Sequence, residues 1–277
     1  MSVGHERVSK VILDDRTPVH IFHPATTEKP DRAVVLFHER YGLVQHTLDL
    51  AARLADSGML SLAPDLFEGR VDDYDAVREG RERAVISDDE VVRAAEGCLS
   101  LLRTRFAIDP PQTAVMGVCQ SGRHAICVAN ANPDVGAAVV FYGAAQDRDW
   151  RVNDQQPIAM RHMLQNLGVP LFATFAERDH VISVENVFRF RGALEQGLRS
   201  YVIRLQKDAP HGFMDSTKPG RYRPDATAES WAELMQFLGD KLMTQHNADN
   251  DPRQRSEWEF KASISRSYDF SRNVRLE

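Results

Sequence analysis

With 277 residues, 43% hydrophobic and 27% charged, the chain is long enough to bury a sizeable core as one large domain or two small ones. Its 34 basic and 40 acidic side chains leave a formal charge of −6 with no basic stripe to neutralise phosphates, which argues against nucleic-acid binding. No apolar run is long enough to span a bilayer and the opening segment, Met1 to Arg7, lacks the apolar core of a signal peptide, so no membrane partner and a cytoplasmic location are expected.

In chain order, Val8–Leu13 and Val19–Phe22 predict an antiparallel edge hairpin. The runs Val34–Phe37, Leu60–Ala63, Ala114–Met116, Ala137–Tyr142, Pro170–Phe175 and Tyr201–Leu205 are short and apolar throughout, as strands buried on both faces are. Helical patterns fall between and after them, near 46–57, 87–105, 120–131, 183–196 and 226–244, with Gly58 as a stop signal and Ser183 as a start. Strands alternating with helices specify an α/β protein whose mostly parallel sheet carries helices on both faces.

Two stretches break this rhythm. Residues 66–90 are dense in charge of both signs, including Arg78, Glu79, Arg81 and Arg83, and read as a solvated surface or the rim of a site. Residues 143–168 place Met160, Met163, Leu164 and Leu167 at helical spacing, which suits core packing or a cap over a pocket. Past a polar breaker at 246–252, Trp258, Phe260, Ala262, Ile264, Tyr268 and Phe270 alternate as a strand with one apolar face does. The chain therefore divides into a domain over 1–245 and an extension over 246–277, which packs on its own domain or joins two copies as a homodimer.

Of the three cysteines, Cys98 and Cys127 fall within helical patterns and read as small core residues. Cys119 sits instead at a turn, in Gly117-Val118-Cys119-Gln120-Ser121-Gly122, between a strand and a helix. A nucleophile on such a turn requires small residues two positions away, a requirement that Gly117 and Ser121 meet. The helix N-terminus favours thiolate, and the Gln120 N–H would face an oxygen gaining negative charge. An inert core cysteine is the competing reading of the same turn. Ser121 as nucleophile is disfavoured because the position two beyond it is Arg123.

A thiol nucleophile needs a base and a group that orients the base. Asp179 follows the strand at 170–175 and His211 follows the strand at 201–205, both at carboxyl ends, where open α/β sheets place their sites. The order nucleophile, acid, histidine is that of α/β-hydrolases. His180 is the nearest alternative base, but it adjoins Asp179 too closely to be oriented by it. No metal or cofactor is expected: the cysteines lack metal-site spacing, and His20 and His23 have no third ligand nearby.

On His38-Glu39-Arg40-Tyr41-Gly42-Leu43, Ala63-Pro64-Asp65-Leu66-Phe67, the turn around Cys119, Asp179-His180-Val181 and His211-Gly212-Phe213, the chain resembles the dienelactone hydrolase family. The resemblance implies an α/β-hydrolase fold and hydrolysis of a small ester or lactone through an acyl-enzyme, without cofactor. It makes Cys119 the nucleophile, His211 the base, Asp179 its orienting acid and Glu39 a glutamate beside the resting thiol. The N–H groups of Arg40 and Gln120 would form the oxyanion hole, and Tyr142, Arg78 and Arg81 would lie in the substrate pocket. One departure concerns the substrate: the arginine that family members acting on carboxylated dienelactones carry shortly after the histidine is Asp215 here. A thioesterase or esterase for a larger metabolite, and a ligand receptor without turnover, use the same fold and are the rival readings.

Overall fold

The computed structural model describes residues 7–26, 28–243 and 256–277; the breaker at 246–252 and the division at 245 lie outside the described residues. Strands β1 (Val8–Ile12), β2 (Pro18–Phe22), β3 (Ala33–Phe37), β4 (Leu60–Pro64), β5 (Thr113–Val118), β6 (Ala137–Phe141), β7 (Leu171–Arg178), β8 (Tyr201–Pro210) and β9 (Trp258–Ala262) form one sheet in the order β1-β2-β4-β3-β5-β6-β7-β8-β9. The pairs β1–β2 and β2–β4 are antiparallel and every later pair is parallel. Strands β3 to β6 are buried along their whole length.

The two faces of the sheet separate the core by the period-two rule. Val35, Phe37 and Val115 meet helices α3 (Asp88–Leu101), α4 (Gly122–Ala131), α5 (Met160–Asn166) and α6 (Val184–Gln196). Val34, Leu36 and Met116 meet α1 (Gln45–Asp56) and α7 (Pro224–Lys241) on the other side. The short α2 (Tyr74–Arg78) lies within the charged stretch. Met160, Met163, Leu164 and Leu167 all join the core, so the 143–168 stripe packs against the sheet's helical layer. Cys98 and Cys127 are buried free thiols, and burial pushes the Cys127 thiol up to about 12.

Besides the C-terminal strand, which ends at Ala262 and not at Phe270, two elements differ from their sequence expectation. The helix expected over 87–105 starts after a Ser87–Glu90 capping box but widens at Leu102–Phe106 into a π-type turn, ended by Ala107 at a φ of 55°. Strand β8 extends to Pro210 although Lys207 and Asp208 are polar and exposed, because β7 keeps pairing with it. That pairing runs in register from Leu171↔Tyr201 to Ala176↔Gln206 and then slips, so that Arg178 faces Pro210. The slip is a bulge in β8, a device that re-aims the residues beyond it.

Candidate active site

At the carboxyl end of β5 the chain turns sharply through Cys119, whose φ of 55° lies in the left-handed region that costs a residue with a β-carbon. The turn is tight enough that a β-carbon on Gly117 would stand 2.0 Å from the Ser121 carbonyl oxygen, so glycine is required there. Ser121 is fully buried and structural. Its Oγ accepts from the Val118 N–H at 2.7 Å and donates to the Phe37 carbonyl at 2.8 Å, which ties the turn to β3. Its hydroxyl proton is thus directed to backbone carbonyls, Phe37 at 2.8 Å and Val118 at 3.0 Å.

The β8 bulge brings Asp179 and His211 together at the ends of β7 and β8. His211 Nε2 stands 3.1 Å from Cys119 Sγ, and its Nδ1 stands 2.7 Å from Asp179 Oδ2. The other oxygen of Asp179 accepts from the N–H groups of Val181 and Ile182 at 2.7 and 3.0 Å, which fixes the carboxylate. Burial disfavours charge on His211, but Asp179 and Cys119 beside it outweigh that and hold the imidazole well above the usual histidine range. His180 packs edge-on against His211, 5.6 Å between ring centres, without taking its place.

Cys119 and His211 open into a cavity of about 180 Å³ shared with Glu39, Arg40 and Gln120. Glu39 is only 7% exposed, and burial raises its carboxyl above the ordinary value. Tyr142 does not line this cavity: it is fully buried, donates to or accepts from His46 Nε2 at 3.1 Å and packs edge-on against His211. Arg81 points to solvent beside Glu79, 2.6 Å away. Arg78 stacks on Tyr74 and faces an adjoining hollow of about 230 Å³. The guanidinium of the charged stretch that does reach the cavity is Arg83, donating to Gln120 Oε1 at 3.3 Å. Asp215 turns to His46, 3.7 Å away, and to Thr217.

Three arginines at the cavity carried no local sequence signal: Arg148, Arg221 and Arg275. Each comes from a loop or tail whose path depends on distant partners. A larger hollow of about 520 Å³ lies at the amino ends of β8 and β9, near Tyr201, Arg204 and Trp258, and contains none of the reactive groups. Among the described residues no group of three or more His, Cys, Asp or Glu side chains could hold a metal ion, and no helix is long and apolar enough to cross a membrane.

The dienelactone hydrolase family model matches residues 18–242 of the chain. A predicted carboxymethylenebutenolidase of Yersinia pestis is 25% identical over 242 residues, 86% of this chain and 87% of that protein. Another from Escherichia coli K12 is 25% identical over 228 residues, 81% of this chain and 82% of that one. Among solved structures, a predicted dienelactone hydrolase of Klebsiella pneumoniae superposes with a TM-score of 0.74 at 21% identity, over 84% of this chain and 98% of that one. At that identity the superposition speaks for the fold.

Proposed function

The chain belongs to the dienelactone hydrolase family, and we propose that it hydrolyses a small ester or lactone with Cys119 as nucleophile, His211 as base and Asp179 as orienting acid. The observation that carries this reading is the unbroken chain of contacts from Cys119 Sγ through the His211 ring to Asp179, at 3.1 and 2.7 Å. The descriptions of the two relatives as carboxymethylenebutenolidases support a lactone substrate.

In this mechanism the thiol proton passes to His211 Nε2, where Asp179 helps to hold it, and Cys119 Sγ attacks the acyl carbon as thiolate. The oxyanion is met by the backbone N–H groups of Arg40 and Gln120, fixed in place before reaction. When the intermediate collapses, the acyl C–O bond breaks, and the leaving oxygen takes the proton from His211. Water then gives His211 a proton as it attacks the thioester, and the restored thiol leaves. Glu39, biased toward its neutral form by burial, lines the same cavity as Cys119 and is read as the carboxyl that holds the thiol at rest. A thiolate is also a good leaving group, so activated acyl groups such as enol lactones suit this site better than simple alkyl esters.

Cys119→Ala should abolish hydrolysis of a nitrophenyl ester, and brief exposure of the unaltered protein should leave an acyl mass on Cys119. Full activity in the variant would overturn the assignment. A receptor without turnover would give no adduct.

A further inference from the structure

The segment after the family-matching region reaches the site. From β9 onward it crosses the carboxyl ends of β7 and β8, held at several points. The Ser265 N–H donates to Glu177 Oε1 at 2.6 Å, and the Tyr268 hydroxyl accepts from the Val184 N–H at 3.0 Å. Asn273 Nδ2 donates to the carbonyls of Glu177 and Asp179 at 3.2 and 3.1 Å. Farther on, the chain packs so closely on Gly220 that a β-carbon there would stand 2.0 Å from the Glu277 carbonyl oxygen. This path places Arg275 at the wall shared by the catalytic cavity and the adjoining hollow, with its Nη2 donating to the Tyr41 hydroxyl at 3.2 Å.

Arg221 stands at the same cavity, from the loop after His211. It is 6% exposed, and its Nε is buried with no hydrogen-bond partner among the described residues. A buried guanidinium donor is costly without an acceptor, so an anionic group entering the cavity gains a partner at Arg221. Gly212, at a φ of 74°, lets this side chain lie against the backbone beside His211, since a β-carbon there would come within 3.1 Å of it. The tail supplies a carboxylate of its own nearby. Glu277 pairs with Arg275 Nε at 2.6 Å and reaches Arg221 Nη2 at 3.5 Å while its side chain remains 61% exposed.

We propose that Arg275 and Arg221 form a subsite for an acidic group on the substrate, with Arg275, delivered by the C-terminal segment, as a specificity-determining residue and Glu277 as a tethered anion that the substrate displaces. The subsite rests on the hydrolase reading above. An exposed carboxylate such as that of Glu277 is displaced at small cost, because such pairs are largely solvent-screened.

The test compares a nitrophenyl hydrogen succinate, whose acyl chain ends in a carboxylate, with a nitrophenyl butyrate of the same length. In Arg275→Met, KM for the acidic ester should rise about tenfold with kcat little changed, and the acidic-to-neutral ratio of kcat/KM should fall by the same factor. Glu277→Gln should act in the opposite sense, lowering KM for the acidic ester several-fold. Unchanged ratios in both variants overturn the subsite and leave the hydrolase reading intact. Binding of glutarate to the Cys119→Ala protein, followed by calorimetry, reads the subsite without turnover. Its Kd should rise about tenfold on adding Arg275→Met, and an equal Kd, or no glutarate binding at all, overturns the proposal.

Discussion

Asp179 acts on the proposed chemistry only through His211, so its loss separates positioning from nucleophilicity. In Asp179→Asn the side chain keeps its shape but cannot hold the imidazolium, and kcat on an activated ester should fall on the order of a thousandfold. The same substitution has a pH signature. His211 titrates well above its unfolded value, so its contribution to stability is complete below about pH 6.5 and is lost as pH rises through the folded value. The melting-temperature gap between the unaltered protein and Asp179→Asn should therefore be widest near pH 6 and narrow toward alkaline pH. A gap that widens with pH would contradict the raised proton affinity of His211 beside Asp179.

Arg123 plays the corresponding part between elements. Only 1% exposed, it grips Asp88 through Nε at 3.0 Å and Nη2 at 2.6 Å and donates to the Ile158 carbonyl at 2.7 Å. It thereby joins the first turns of α4 and α3 to the connection after β6. Arg123→Met strands a buried carboxylate and should cost about 3–5 kcal/mol in urea denaturation, most of it recovered when Asp88 is replaced by Leu as well. Features of this kind mark the limit of what the sequence showed. The strands were legible because runs such as Val34–Phe37 are apolar on both faces, and α6 because Ser183 caps it, its Oγ accepting from the Asn186 N–H at 3.1 Å. Cys119 and His211 were legible because a turn and a strand end are local. The β8 bulge, the Ser121–Phe37 bond and the Arg123–Asp88 pair were not, since each joins residues whose proximity exists only after the sheet has formed.

At the scale of the molecule, the C-terminal segment is both an edge and a strap. Its alternating apolar pattern predicts one strand as far as Phe270, yet β9 ends at Ala262, because past the Leu205↔Ala262 pair the chain is turned onto Glu177 and toward the site. Phe260, Ile264 and Tyr268 pack against the core, and β9 covers the edge of β8. Ending the chain after residue 243 removes those contacts and bares a parallel edge strand, an arrangement prone to pairing with another copy. Three partly buried side chains of this size account for on the order of 3 kcal/mol, so the melting temperature should fall by roughly 5–10 °C. Light scattering should show self-association of the shortened protein through the bared edge. Because the same cut removes Arg275, preference for an acidic ester should fall even at temperatures where the shortened protein remains folded. A shortened protein with unaltered melting, assembly and ester preference would mean that the segment contributes to neither fold nor site.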